Sequence, residues 1–189
     1  KAYTMFKGIV GVVSSGDMGH VVGCVIRKKG YRVITSLDGR SDLTRKRAKR
    51  SNMENVGSLE NLIKESETVL SILPPENAFD FAVDAARAMK GLGVTPIFVD
   101  CNAISPETTL NIDKMMKDVT PNFLKVGIIG APPRKGITTR FYASGSQTEL
   151  LAFLDGDGIS YRSLGNEITR AAALKMCYAG LTKGTMTLH

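Results

Sequence analysis

The sequence has no tryptophan, and aromatic residues make up only 6% of its 189 residues. Its three cysteines, Cys24, Cys101 and Cys177, are far apart and odd in number, which argues against a disulfide framework and predicts reduced thiols. The presence of only two histidines and the lack of a Cys-x-x-Cys spacing argue against a structural zinc site. No apolar run approaches the roughly 20 residues that cross a bilayer, and the first residues are too polar for a signal peptide. We therefore expect a cytoplasmic globular protein.

Basic residues are in excess and give a formal net charge of +7. The excess is concentrated between residues 40 and 50, in Arg40, Arg45, Lys46, Arg47, Lys49 and Arg50. Such a cluster can bind nucleic acid, hold a phosphorylated ligand, or remain solvated on the outer face of a helix. Nucleic-acid binding is the least favoured of these interpretations, because the chain has no interleaved stripe of aromatic residues.

Apolar runs bounded by turn residues alternate with helical stretches along the whole chain. The predicted strands cover residues 8–13, 31–36, 68–73, 96–101, 124–130, 140–143 and 159–162. The predicted helices cover residues 17–29, 76–90, 147–154 and 167–188, and two more begin at Ser58 and at Ser105. This alternation predicts an α/β protein with a doubly wound, mostly parallel sheet and right-handed crossovers.

A glycine-rich turn separates the first predicted strand from the first helix, where a Rossmann-type fold places its pyrophosphate loop. Gly16 would allow the backbone to approach the phosphates, and Gly19 would allow the helix to pack closely on the strand. The first glycine of the usual Gly-x-Gly-x-x-Gly pattern is replaced by Ser14. Glycines in such a turn also occur without a ligand, but the strand–turn–helix context favours nucleotide binding. The predicted cofactor-binding residues of this turn are Ser14, Ser15, Gly16, Asp17, Met18 and Gly19.

The second predicted strand ends at Asp38 and Arg40, about 20 residues after the glycines. A carboxylate at this position hydrogen-bonds the adenosine ribose of NAD, whereas an arginine accommodates the 2′-phosphate of NADP. Because a planar guanidinium suits a phosphate monoester, the basic cluster favours NADP, with NAD as the alternative. Both residues are also compatible with a solvated surface turn that Asp38 caps.

Four further motifs follow in order and together carry a family resemblance. They are Leu73-Pro74-Pro75, Asp100-Cys101-Asn102-Ala103-Ile104-Ser105-Pro106, Gly130-Ala131-Pro132-Pro133-Arg134-Lys135-Gly136 and Leu174-Lys175-Met176-Cys177-Tyr178. With the glycine-rich turn they resemble the β-hydroxyacid dehydrogenases, a family that includes 6-phosphogluconate dehydrogenase. The resemblance implies that residues 1–165 form an NAD(P)-binding Rossmann domain and that residues 166–189 begin the long helix of a second, all-helical domain.

The resemblance also implies a function, an NADP-dependent oxidoreductase that acts on a small acidic hydroxyacid. Lys175 aligns with the catalytic lysine of the family and would act as general base, and Asn102 would hydrogen-bond the substrate. The turn at Leu73, Pro74 and Pro75 would contribute to the cofactor site. From the residues alone, Lys175 could also be an ordinary exposed lysine of a helix, and Asn102 could be a turn residue that caps the next helix.

The chain departs from the family pattern at several positions. Ala179 stands where the family has an asparagine, and Arg134 stands where small residues are usual, so Arg134 or its neighbour Lys135 is a candidate partner for an acidic substrate group. The departures keep open a non-catalytic NAD(P)-binding sensor or partner-docking domain, and an imine-reducing relative that would need no lysine base. We also expect self-association through an apolar side of the last helix that carries Ile168, Leu174, Met176 and Leu181.

Overall fold

The computed structural model of the protein describes residues 5–186, with side chains up to residue 182. The strands are β1 (Ile9–Val13), β2 (Arg32–Thr35), β3 (Glu54–Asn55), β4 (Thr68–Ser71), β5 (Ile97–Asp100), β6 (Phe123–Ile129), β7 (Thr139–Ser144) and β8 (Ile159–Ser163). The α-helices are α1 (Asp17–Lys28), α2 (Asp42–Arg50), α3 (Leu59–Glu65), α4 (Ala78–Leu92), α5 (Pro106–Lys117) and α6 (Arg170–Met186). Two 3₁₀ helices cover Pro75–Asn77 and Thr148–Leu154.

The strands form one eight-stranded sheet in the order β3-β2-β1-β4-β5-β6-β7-β8. The first six strands in that order are parallel, β7 runs antiparallel to β6, and β8 is parallel to β7. The six parallel strands reproduce the order of a dinucleotide-binding Rossmann fold. The expectation of a doubly wound, mostly parallel α/β sheet is confirmed.

Apolar cores lie on both faces of the sheet. One core joins the strands to α1, α2 and the second 3₁₀ helix, and the other joins them to α3, α4 and α5. Neighbouring strand residues divide between the two cores: Val12 packs in the first and Val13 in the second. The parallel strands are therefore buried on both sides, which explains why their sequences are continuous apolar runs.

Several elements differ from the sequence prediction. The basic segment forms α2, which begins after Ser41, and only Ala48 of this helix is buried. This agrees with the interpretation of the basic cluster as the solvated face of a helix, although a segment with almost no apolar face offers no periodicity from which to predict the bounds of α2. The predicted stop of α4 at Gly91 is wrong: the helix runs to Leu92 and ends at Gly93, whose φ of 67° only glycine adopts easily.

The last helix begins later than predicted. The side chain of Glu167 accepts a hydrogen bond from the backbone N–H of Thr169, and regular helix starts at Arg170 rather than at Glu167. The predicted end at residue 188 lies outside the described residues. The predicted domain boundary falls in the segment between β8 and α6, and a second domain beginning there stays a prediction. Within residues 5–186, no helix has both the length and the apolar character that a membrane span requires.

Candidate cofactor and active site

The glycine-rich turn joins β1 to α1 at the carboxyl edge of the sheet. The first hydrogen bond of α1 runs from the N–H of His20 to the carbonyl of Gly16, so the N–H groups of residues 17–19 have no partner inside the helix. A Cβ at Gly19 would lie 1.8 Å from the carbonyl oxygen of Ser14, whereas a Cβ at Gly16 would meet nothing within 4 Å. Gly19 therefore permits the close packing of helix and strand, and open space lies beside Gly16.

Ser15 lies in the same turn and is 1% exposed. Its hydroxyl has no hydrogen-bond partner among the residues that the structure describes. A buried hydroxyl without a partner costs free energy, so this atom is available to a polar ligand at the turn.

A cavity of about 340 Å³ opens at the carboxyl ends of β1 and β2. Asp38 and Arg40 line it together, with Ser36 and Ser58 among the other lining residues. Gly39, between the two charged residues, has a φ of 65°, which allows the tight turn that brings both to one cavity. The pair singled out in the sequence thus faces one space.

Asp17, in the first turn of α1, is contacted by two arginines. Arg134 donates to its Oδ1 from Nη2 at 3.0 Å, and Nη2 of Arg47 lies 3.7 Å from the same oxygen. Arg134 belongs to the loop between β6 and β7, which had been expected to face the substrate. The structure places this guanidinium against the glycine-rich turn, a contact that no local sequence pattern indicated. Pairing of Arg134 or Lys135 with an acidic substrate group stays a prediction.

A buried ion pair that the sequence reasoning missed lies between β5 and β6. Nζ of Lys125 donates to Oδ2 of Asp100 at 2.6 Å and to the backbone carbonyl of Asn102 at 2.5 Å. The side chains of Lys125 and Asp100 are 0% and 1% exposed. A single lysine inside the otherwise apolar, completely buried strand β6 was the available signal, because a lysine there requires a partner.

The side chain of Asn102 is fully engaged within the protein. Nδ2 donates to Oδ1 of Asp100 at 2.5 Å and to Oγ of Ser71 at 2.9 Å, while Oδ1 accepts the N–H of Leu73 at 2.6 Å. Asn102 therefore joins the ends of β4 and β5 and holds the turn at Leu73, whose following residues Pro74 and Pro75 are exposed.

Both amide hydrogens of Asn102 are thus used by the protein, an arrangement that suits a positioning residue better than a substrate donor. The alternative that Asn102 caps the next helix is wrong, because the N-cap of α5 is Ser105, which accepts the N–H of Thr108.

Lys175 projects from α6 toward the end of β6. Its Nζ donates to the carbonyl of Ile128 at 2.7 Å. The helix approaches the strand closely at Gly127, where a Cβ would lie 2.8 Å from the carbonyl oxygen of Ala171. Partial burial, and secondarily the charge of Lys125, lower the pKa of Lys175 below the ordinary lysine value. Lys175 is accordingly a half-buried lysine with a lowered pKa, not an ordinary exposed one.

The side of α6 that was expected to be apolar and exposed is only partly exposed. Ile168 packs against the core beside α5, and Leu174 and Met176 are half-buried. Leu181 is 71% exposed. Self-association through this helix stays a prediction.

The sheet order, the close-packed turn at Gly19 and the cavity at the end of β2 define a Rossmann domain of the nicotinamide-dinucleotide type. Residues 9–153 match the family model described as the NAD binding domain of 6-phosphogluconate dehydrogenase, and the chain belongs to this family. The resemblance drawn from the motifs is thereby confirmed.

Among curated proteins, the chain is similar to an uncharacterized 28.5 kDa protein of Methanothermus fervidus, with 29% identity over 174 residues. The match covers 92% of this chain and 65% of that protein. Among solved structures, it is similar to a conserved protein of unknown function that resembles 3-hydroxyacid dehydrogenases, with 32% identity and a TM-score of 0.81. That match covers 95% of this chain and 66% of the other, so the chain spans just under two thirds of the length of both relatives.

The fold is also shared with reductases. The V8 variant of an imine reductase from Myxococcus stipitatus, in complex with NAD+, has a TM-score of 0.80 at 15% identity, covering 96% of this chain and 63% of that chain. An imine reductase from Myxococcus stipitatus in complex with NADP+ has a TM-score of 0.74 at 16% identity, covering 95% of this chain and 62% of that chain. At this identity the likeness establishes the fold of NAD(P)-dependent oxidoreductases and nothing about the substrate.

Proposed function

We propose that this chain is the cofactor-binding part of an NADP-dependent oxidoreductase that acts on a small acidic hydroxyacid. The observation that carries the choice of NADP is the position of Arg40 in the cavity at the end of β2, beside Asp38. Nε of Arg45 donates to the backbone carbonyl of Arg40 at 3.1 Å, which places a second guanidinium beside the backbone of this turn. A guanidinium in the cavity favours a phosphate monoester over a bare ribose hydroxyl.

The residues of the turn fit a dinucleotide. Ser15 offers a buried hydroxyl that has no partner among the described residues, Gly16 leaves open space, and the first N–H groups of α1 have no partner inside the helix and could bind an anion. Asp38 would hold the ribose, and Arg40 the 2′-phosphate. The bound nicotinamide would supply the hydride acceptor or donor, while the protein supplies position and electrostatics.

Lys175 is the proposed general base. A general base must be neutral to accept a proton, and the lowered pKa of Lys175 increases the neutral fraction near physiological pH. The carbonyl of Ile128 fixes the direction of the amine, which would take the proton of the substrate hydroxyl at Nζ. Asn102 would act indirectly, by fixing the turn at Leu73.

The proposal is tested by calorimetric titration of the wild type and of Arg40→Ala with NADPH and NADH. We expect the variant to lose about tenfold or more in NADPH affinity, the value of one charge-assisted contact, and to bind NADH as the wild type does. The matched control is Arg162→Ala, an exposed arginine on β8 at the opposite edge of the sheet from the cavity. Failure of the wild type to bind either cofactor would contradict the proposal, and equal weakening of both cofactors in Arg40→Ala would contradict the choice of NADP.

A non-catalytic cofactor-binding role is the second candidate, favoured by Ala179 at the position of the family asparagine. The two candidates separate in a screen of hydroxyacids and cyclic imines with NADP or NADPH. Turnover of a hydroxyacid that Lys175→Met abolishes supports the dehydrogenase. Imine reduction that survives Lys175→Met, or cofactor binding without any turnover, contradicts it.

A further inference from the structure

Positive charge reaches the glycine-rich turn from two elements outside the motif. Arg134 comes from the loop between β6 and β7, 117 residues away along the chain from its partner Asp17. Arg47 comes from α2 and lies 3.7 Å from the same carboxylate oxygen. Because the two guanidiniums are brought together by one carboxylate, Asp17 organises them beside the first turn of α1.

The carboxylate of Asp17 alone would repel an anion at this position. Two guanidiniums against one carboxylate reverse the sign of the local charge and leave a net positive site. A guanidinium has several N–H donors, and Arg134 gives one hydrogen bond to Asp17. Among the described residues neither arginine has another protein acceptor, and their side chains are 56% and 29% exposed. Their remaining donors are therefore available to a ligand.

A second observation at the turn points to a polar ligand. The hydroxyl of Ser15 is buried and has no partner among the residues described. This hydroxyl, the open space beside Gly16 and the N–H groups at the start of α1 that have no partner inside the helix lie within one short segment of chain. The guanidiniums flank that segment through their contact with Asp17.

We propose that Arg134 and Arg47 bind the diphosphate of the nicotinamide cofactor, a role that the glycine-rich motif does not assign to either residue. The inference rests on the proposed binding of NAD(P). Guanidinium groups match phosphate oxygens in bidentate geometry, which a helix N-terminus alone does not provide. Arg134 also explains a departure from the family pattern, because it stands where small residues are usual.

The assignment has a consequence for the loop between β6 and β7. Arg134 lies in residues 130–136, the segment that resembles the substrate loop of the family. When Arg134 holds the diphosphate, the bound cofactor also contacts this loop.

The test compares the dissociation constants of NADPH and NADH for the wild type, Arg134→Ala and Arg47→Ala. Because the diphosphate is common to both cofactors, we expect each variant to weaken the binding of NADPH and of NADH by the same factor, about tenfold. Arg40→Ala should weaken the binding of NADPH alone, which distinguishes contacts to the diphosphate from contacts to the 2′-phosphate. The control is again Arg162→Ala, an exposed arginine on β8 that is remote from the glycine-rich turn, with affinities expected to be unchanged.

Circular dichroism and thermal melting of each variant establish that the fold is retained. Wild-type affinity of Arg134→Ala for both cofactors would overturn the inference and leave the proposed function intact. A loss confined to NADPH would also overturn it, because Arg134 would then serve the 2′-phosphate. A wild type that binds neither cofactor would overturn both proposals.

Discussion

The buried pair of Lys125 and Asp100 gives the sharpest test of the energetics of this fold. Lys125→Met keeps the length of the side chain but removes the hydrogen bonds at 2.6 Å to the carboxylate and at 2.5 Å to the carbonyl of Asn102. The carboxylate of Asp100 remains 1% exposed and loses its countercharge. We expect the free energy of unfolding to fall by about 3–5 kcal/mol. For a chain of this size the melting temperature should fall by about 6–20 °C.

Urea unfolding of a double-mutant cycle tests this reasoning. Asp100→Asn should also be strongly destabilising, but the double variant leaves no buried charge. The losses should therefore be non-additive by at least about 2 kcal/mol. The matched control is Lys117→Met, which breaks a pair of similar length, 2.7 Å from Asp113, with the lysine side chain 69% exposed. That control should cost less than about 1 kcal/mol. Additive losses in the cycle, or equal losses for Lys117→Met and Lys125→Met, would refute the argument that burial makes the pair strong.

Two further predictions concern the turn and the proposed base. Gly19→Ala should lower the free energy of unfolding by about 1–3 kcal/mol, because its Cβ would lie 1.8 Å from the carbonyl of Ser14. Gly16→Ala, whose Cβ meets nothing within 4 Å, should leave the melting temperature unchanged; equal effects of the two substitutions would count against the packing role of Gly19. Burial and the charge of Lys125 lower the pKa of Lys175 in the folded state below its value in the unfolded state. At a pH between these two pKa values the unfolded state binds more protons, so the contribution of Lys175 to the free energy of unfolding rises with pH across this interval. NMR titration of ¹³C-methylated lysines should give Lys175 a lower pKa than the other lysines, and this pKa should be higher in Lys125→Met than in the wild type. An unchanged pKa in that variant would show that the charge of Lys125 does not act on Lys175.

Much of the fold was predictable from the sequence because burial on both faces makes the parallel strands continuous apolar runs. The start of α5 was predicted for a local reason, since Ser105 and Pro106 together specify a helix N-terminus. Helix α2 was indicated only as one interpretation of the basic cluster, because it buries only Ala48 and has no apolar periodicity that would define its bounds. The two-residue strand β3 is too short to carry a pattern.

Only those parts of the candidate site that are formed by residues close together in the sequence could be predicted. The turn at Gly16 and Gly19, and the pair at Asp38 and Arg40, are local motifs, and the fold brings them to the same edge of the sheet. The contact of Arg134 with Asp17 joins residues far apart in the chain, so only the folded protein reveals it. Asn102 illustrates the converse: its position was indicated by the motif, but the partners of its amide depend on the register of β4 and β5.

The antiparallel pairing of β6 and β7 has a consequence for how such a protein diversifies. In a parallel sheet every connection must cross over through a helix, but here the chain leaves at Ile129 and returns at Arg140 on the adjacent strand. The ends of the intervening loop are therefore fixed by the sheet, and a change in loop length costs only a slowly growing closure entropy. If Arg134 binds the cofactor as proposed, substitutions or insertions in this loop, at the carboxyl edge of the parallel strands, should change ligand binding while the pairing of β6 with β7 is kept.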